Sequence, residues 1–238
     1  MLNFCQFGAG RIGQIHAGNI AAHPEARLAM IVDTDGAAAE RLAVRHGARV
    51  ATAGEAFGDP GIDAVAIASS TDTHADLVEA AARSGKAIFC EKPLDLDRRR
   101  AEACFAVTRE FGVPLMLGFN RRFDPHFARL EQQIRAGRIG RPELLTIKSY
   151  DPAPPSIEFV RRSGGIFRDM LIHDFDMACW LLAEAPVEIF ARGSVLVDPA
   201  IGEAGDYDTA VATLRMASGA LCQIAGTRRA VYGYDQRI

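Results

Sequence analysis

The sequence predicts an α/β half followed by an α+β half, and three observations carry that expectation. Through residues 1–120, short apolar runs of β character alternate with Ala-rich stretches of helical period. A G-x-G-x-x-G turn sits where the first run gives way to the first helix. From residue 121 the alternation stops and extended runs follow one another. Strictly alternating elements imply crossover units, hence a doubly wound, mainly parallel sheet with helices on both faces. Successive extended runs read as antiparallel strands of an α+β architecture. The expected domains are 1–120 and 121–238.

In chain order, the β-type runs of the first half are "NFCQFG", "RLAMIVD", "DAVAIAS", "KAIFCE" and "VPLMLGF". Between them lie "IGQIHAGNIAAHP", "GAAAERLAVRHG", "HADLVEAAARSG" and "DRRRAEACFAVTREFG", several of which stop at glycine, the residue that best ends a helix. The turn "GAGRIG" (residues 8–13) places Gly8 for a tight bend, Gly10 where the backbone can approach a pyrophosphate, and Gly13 where helix and strand pack closely. A phosphate there would face the free N–H groups and positive dipole end of the first helix. Glycines of this spacing also mark ordinary turns. Asp33, twenty positions beyond Gly13 at the end of the second run, favours the dinucleotide reading, because a carboxylate there can hold both hydroxyls of an adenosine ribose. Its charge repels a 2′-phosphate and Thr34, Asp35 and Gly36 bring no arginine, so NAD is expected over NADP. The alternative for Asp33 is a turn former at a strand end.

Two later strand ends are polar. After "AVAIASS" comes "TDTH", where Thr71 or Asp72 can cap the next helix and His74 reads equally as a solvated side chain or a contact. After "KAIFC" comes Glu91-Lys92-Pro93. Lys92 is either a solvated head group or a donor to a substrate hydroxyl, and the bond before Pro93 is one of the few that can be cis.

The second half opens with a helix in "RRFDPHFARLEQQIRAG" starting at Asp124 or Pro125, then a strand in "PELLTIKSYD" and a proline loop at 152–155. "GGIFRDMLIHDFDM" (164–177) reads as the start of a helix running through "MACWLLAE". On a regular helix Asp169, His173 and Asp176 share one face, an arrangement that can orient an imidazole toward a ligand. Three other readings stand beside it: a satisfied core histidine, aspartates that cap or pair with arginines such as Arg168, and metal ligation by H-D-x-D, for which no His or Cys cluster supplies further ligands. Strands in "VEIFARGSVLV", "DTAVATLRMA" and "ALCQIAGTRRAVYGY" follow.

Composition narrows the function classes. A chain of 238 residues with 49% hydrophobic content can build two cores. A net charge of −3 gives no basic surface for nucleic acid or anionic membrane. Five scattered cysteines without a C-x-x-C pair suggest neither a disulfide framework nor zinc, and no apolar run approaches membrane-spanning length. The expected setting is cytoplasmic, the expected partner a small molecule.

Taken together, "GAGRIG", Asp33, "STDTHADL", "EKP", "GFNRRFDP" and "GGIFRDMLIHDFDM" resemble the Gfo/Idh/MocA oxidoreductases, and the last motif with "SYDPAPPS" resembles their inositol-oxidising members. The resemblance implies NAD as cofactor, no metal, and oxidation of a cyclic polyol such as myo-inositol to its 2-ketone. It implies His173 as general base, Asp169 holding its ring and Lys92 positioning the reacting hydroxyl. Cofactor contacts are expected from Gly8, Gly10, Arg11, Ile12, Gly13, Asp33, Ser70, Thr71, His74, Glu91 and Lys92. Substrate contacts are expected from Lys92, Arg121, Asp151, Asp169, His173, Asp176, Tyr232 and Tyr234. It also implies that the second domain carries a large open, mainly antiparallel sheet supporting a homo-oligomer, a dimer or tetramer, and that the chain is shortened at its C-terminus and this sheet incomplete, since "GYDQRI" falls inside an expected strand. Rival readings are another sugar or polyol dehydrogenase of the family, a non-catalytic NAD-binding relative, and NAD-dependent glycoside hydrolysis.

Overall fold

The computed structural model describes residues 1–238 and divides into two compact units, Met1–Gly118 and Phe119–Ile238. No helix is long and apolar enough to cross a membrane.

In the first unit the elements are β1 (Leu2–Phe7), α1 (Arg11–Ala22), β2 (Ala26–Val32), α2 (Gly36–His46), β3 (Arg49–Val50), α3 (Ala53–Gly58), β4 (Ala64–Ile67), α4 (His74–Arg83), β5 (Ala87–Cys90), α5 (Arg98–Glu110) and β6 (Leu115–Leu117). The sheet is wholly parallel with order β3-β2-β1-β4-β5-β6, so the strand order reverses between β1 and β4, where such sheets bind ligands beyond their carboxyl ends. Cys5, Phe7, Val65, Ile67 and Ile88 build one core layer, while Ala17, Leu28, Ile31, Leu42 and Ala43 build the other. Both faces of the sheet are therefore dry, as parallel sheets require. The expected five strands are present; β3 and α3 are additions. β3 is two exposed residues with no pattern to read, whereas α3 begins with a capping box in which Thr52 and Glu55 satisfy each other's backbone N–H groups.

Two glycines shape the first turn. Gly8 has φ +97°, and a Cβ on it would lie 2.4 Å from the Ala68 carbonyl oxygen. A Cβ on Gly13 would lie 2.1 Å from the Gly8 carbonyl oxygen, so α1 packs on the turn at backbone distance. Gly13→Ala is expected to destabilise the protein by about 1–3 kcal/mol through overpacking, since backbone on both sides cannot yield as a side chain would; urea unfolding checks it.

The second unit contains α6 (Pro125–Arg135), β7 (Leu144–Tyr150), α7 (Ile157–Ser163), a π-helical turn (Ile166–Met170), α8 (Ile172–Leu182), β8 (Pro186–Ser194), α9 (Pro199–Glu203), β9 (Thr209–Met216), β10 (Leu221–Thr227) and β11 (Asp235–Arg237). Its five-stranded sheet runs β11-β7-β10-β9-β8, antiparallel except for the β10–β7 pair. One face, with Ile147, Ala212, Leu214, Cys222 and Ile224, packs against Ile166, Leu171, Met177 and Leu181 of the π turn and α8. The other face is open, with Leu144, Phe190, Val211 and Leu221 exposed. Asp124 caps α6 as the sequence suggests, accepting from the N–H groups of His126 and Phe127. The short helices α7 and α9 are further additions, each announced by a capping side chain, Ser156 and Asp198.

Candidate active site

In the first unit the amino end of α1 is prepared for an anion. Its N-cap is Gly10, so no side chain satisfies the first-turn N–H groups, and no acidic residue occupies that turn. Nothing lies within 4 Å of where a Gly10 Cβ would be, which leaves the backbone approachable. By contrast α2, α3 and α5 are capped by Asp35, Thr52 and Asp97. Arg11 is exposed and Ile12 half-buried on the same first turn. Asp33 follows β2, and its carboxylate spans the turn: one oxygen accepts from the Ala9 N–H at 2.5 Å, the other from the Asp35 N–H at 2.8 Å. The second oxygen also receives the Thr34 hydroxyl in a long contact of 3.5 Å, so one oxygen keeps an open lone pair and the other can exchange that hydroxyl for one of a ribose. The donor set thus fits NAD: bare N–H groups for a pyrophosphate and a fixed carboxylate for a ribose.

The β4 end corrects two expectations. Neither Thr71 nor Asp72 caps α4. Residues Thr71–Thr73 form a 3-10 turn instead, Thr73 Oγ1 bonds the Ser70 carbonyl and the Ser69 hydroxyl, and Ser70 itself is exposed. His74 is not solvated: it is 2% exposed, with Nδ1 2.8 Å from the Pro93 carbonyl and Nε2 3.2 Å from that of Ser69. Both ring nitrogens are directed at backbone carbonyls, so His74 works as a strut between the β4 and β5 ends, and a direct polar contact with a cofactor is not available to it as it stands. The Lys92–Pro93 peptide is cis, and Lys92 is half-buried. Glu91 is held on both carboxylate oxygens, by His16 Nε2 at 2.7 Å and by the Lys92 N–H at 3.2 Å.

In the second unit the glycine pair of 164–177 has a local cause. Gly164 (φ 85°) ends α7 in the left-handed conformation. Gly165 (φ 81°) brings the chain against Asp206, whose carboxylate accepts the Ile166 N–H at 2.9 Å and would lie 2.5 Å from any Cβ on Gly165. The segment that follows is not the regular helix the spacing suggests. The Leu171 N–H donates five residues back to the Ile166 carbonyl at 2.8 Å, a π turn, and α8 starts afresh at Ile172. Asp169 therefore sits in a turn with an extra residue, while His173 and Asp176 share the α8 register. The α-helix expected to run unbroken through Asp169 and His173 is thus interrupted between them, and both are half-buried. π turns of this kind occur often at functional sites. The His173 ring meets Phe119 edge-on, with centroids 6.3 Å apart.

The arginines claim two carboxylates. Asp176 forms a two-pronged pair with Arg122, not Arg168, through Nε at 2.8 Å and a second, shorter bond from a terminal nitrogen. Arg122 also lies over the Trp180 and Phe119 rings. Arg121 donates to Asp174 Oδ1 at 2.5 Å and to the Ser149 hydroxyl at 3.1 Å, and Ser149 donates to the same aspartate oxygen at 2.6 Å. Arg121 and Asp176, both expected to contact the substrate, thus also hold protein partners, Arg121 through one terminal nitrogen and Asp176 through both oxygens. Asp174 is fully buried, and burial raises its carboxyl above the ordinary range against the pull of Arg121 and Ser149. Sequence reasoning passed over this residue, yet a signal was there: Leu171, Asp174, Ala178 and Leu181 follow the three-four spacing of a core-facing stripe. A carboxylate in that stripe demands a partner.

Asp151 is half-buried and its carboxyl is raised by desolvation, with Arg228 pulling the other way. Tyr232 and Tyr234 are 67% and 71% exposed, and the Tyr232 hydroxyl donates to Asp235 at 2.8 Å. No group of three or more His, Cys, Asp or Glu side chains is arranged to hold a metal.

Comparison with known proteins follows the same division. Residues 2–119 match the oxidoreductase family with an NAD-binding Rossmann fold, and residues 127–238 match the GFO/IDH/MocA C-terminal domain. The chain is 52% identical over 237 residues to the inositol 2-dehydrogenase of Rhizobium meliloti, covering 100% of itself and 72% of that protein. It is 49% identical over 233 residues to the myo-inositol 2-dehydrogenase of Thermotoga maritima, covering 97% of itself and 70% of that protein. The crystal structure of scyllo-inositol dehydrogenase from Lactobacillus casei with bound NAD(H) and scyllo-inositol superposes with a TM-score of 0.92 at 30% identity, over 99% of this chain and 72% of that one. With both halves matched in order, the uncapped glycine turn and the D-x-x-x-H segment find their place: the chain belongs to the Gfo/Idh/MocA family of oxidoreductases, an NAD-binding Rossmann domain followed by that family's C-terminal domain.

Proposed function

We propose that the protein oxidises a cyclic polyol with NAD, taking myo-inositol to 2-keto-myo-inositol, a reading supported by its similarity to proteins named inositol and myo-inositol 2-dehydrogenase. The observation that carries this reading is the half-buried imidazole of His173 placed just beyond the π turn that bears Asp169, in a chain whose first domain belongs to an NAD-binding family. NAD, when bound, supplies the hydride acceptor. His173 takes the proton of the reacting hydroxyl, Asp169 keeps the imidazole oriented, and Lys92 donates to the oxygen as negative charge develops on it. The α1 N-terminus holds the pyrophosphate, and Asp33 holds the ribose hydroxyls while disfavouring a 2′-phosphate. Asp151, Tyr232 and Tyr234 lie on the carboxyl side of β7 and β10 and supply polar groups for the remaining hydroxyls; Arg121 and Asp176 contribute once released from, or together with, their present partners. The open face of the second sheet serves self-association into a dimer or tetramer.

The test is a substrate screen at fixed NAD with myo-inositol, scyllo-inositol, glucose and related polyols, followed by NADP in place of NAD. NADH formation with an inositol, and little activity with NADP, is the expected result. Release of free sugar without net NADH would instead identify hydrolysis, and NADH binding without turnover of any polyol would identify a non-catalytic relative.

A further inference from the structure

His16 lies on α1, one turn beyond the glycine loop, and Glu91 lies at the end of β5, immediately before Lys92. Their side chains meet at 2.7 Å although 75 residues separate them. A carboxylate only accepts, so His16 Nε2 carries the proton in this contact. The other Glu91 oxygen accepts the Lys92 N–H, and the carboxylate lies flat on Gly118, where a Cβ would come within 3.1 Å of it. The His16 ring in turn packs edge-on to Phe89 of β5 at 4.8 Å. Both partners are about four-fifths shielded from water, with side-chain exposures of 21% and 20%. The Glu91 carboxylate is therefore boxed on three sides, and its partner His16 rides on the helix whose amino end is prepared for the cofactor's phosphates.

We propose that the His16–Glu91 bond is a positioning strut that ties the phosphate-binding helix α1 to the strand end bearing Lys92, so that seating the cofactor sets the placement of the lysine. The proposal rests on the function assigned to Lys92 above. A rigid link is what such a lysine needs, because a displacement of about 1 Å at a reacting group can cost ~10²-fold in rate. Neither His16 nor Glu91 touches the reacting hydroxyl in this scheme; they act through Lys92.

The experiment compares the wild type with His16→Leu, His16→Gln and Glu91→Gln. Glutamine at 16 keeps an N–H donor at similar reach without the ring, and glutamine at 91 can accept from His16 but turns its amide N–H groups toward the Lys92 N–H. For His16→Leu, kcat is expected to fall about 10- to 100-fold, with KM for NAD and polyol changing only a few-fold, and His16→Gln is expected to restore most of it. In the NADH complex, amine-labelling of Lys92 followed by peptide mass spectrometry is expected to run several-fold faster in His16→Leu than in the wild type or His16→Gln. Unchanged kcat and labelling in His16→Leu, or equal impairment in both position-16 variants, would overturn the strut. Should His16→Leu fail to fold, Glu91→Gln is judged by the same kcat and labelling criteria. If the wild type turns over no polyol, the functional assignment falls while the labelling comparison still decides the strut.

Discussion

Replacing His173 with alanine is expected to lower kcat by ~10²–10⁴-fold, the contribution of a positioned general base, while NADH binding measured by fluorescence titration stays close to that of the wild type. The separation follows from where the groups lie in the chain. The uncapped α1 end and the Asp33 carboxylate belong to the first unit, and His173 belongs to the second. Its side chain is half-buried against Phe119, and truncation removes an imidazole from a partly accessible place rather than from the closed core formed by Met177, Ala178 and Leu181. Folding should therefore survive. The limb of the pH–rate profile that reports the base should vanish in the variant, and added imidazole should recover part of the rate. Weakened NADH binding with turnover intact would contradict the assignment and point to a cofactor role instead.

The first half was readable because its signals are local and redundant. Each strand end is marked by apolar residues giving way to glycine or a polar cap, and the roles of Gly8 and Gly13 in the turn follow from steric rules that hold for any chain. The second half was readable only in outline. The period of 164–177 suggested one helix, but a π turn differs from an α turn by a single residue and leaves no composition mark. It is set by tertiary demands: Asp206, forty residues on, holds the Ile166 N–H, while Ile166, Met170 and Leu171 must all reach the core. The solvated reading of His74 failed for a similar reason. Its position in a first helical turn says nothing of the Pro93 carbonyl, 19 residues later, that its Nδ1 meets at 2.8 Å. The pairing of adjacent arginines with different aspartates, Arg121 with Asp174 and Arg122 with Asp176, required the fold itself, because consecutive residues of the 3-10 turn at 120–123 point in different directions.

Asp174→Ala is expected to be the most destabilising single change in the second domain, by about 3–5 kcal/mol, because it strands a nearly buried guanidinium rather than because it empties space. Arg121 is only 11% exposed and loses its ion-pair partner, and the Ser149 hydroxyl loses its acceptor at the same moment. The discriminating control is the paired replacement Arg121→Met with Asp174→Leu. If the stranded charge is the cause, the pair recovers most of the loss in urea unfolding; if packing volume is the cause, it does not. The pH dependence carries the opposite sign from that of an ordinary paired aspartate. Burial raises the Asp174 carboxyl in the folded state above its unfolded value, so the folded protein binds the extra proton between the two values. Stability relative to an Asp174→Asn reference, which cannot titrate there, should accordingly rise as pH falls through the raised folded-state value toward the unfolded one. A difference that instead shrinks on acidification would mean that Arg121 and Ser149 outweigh burial, and that the ion pair is a net source of stability at neutral pH.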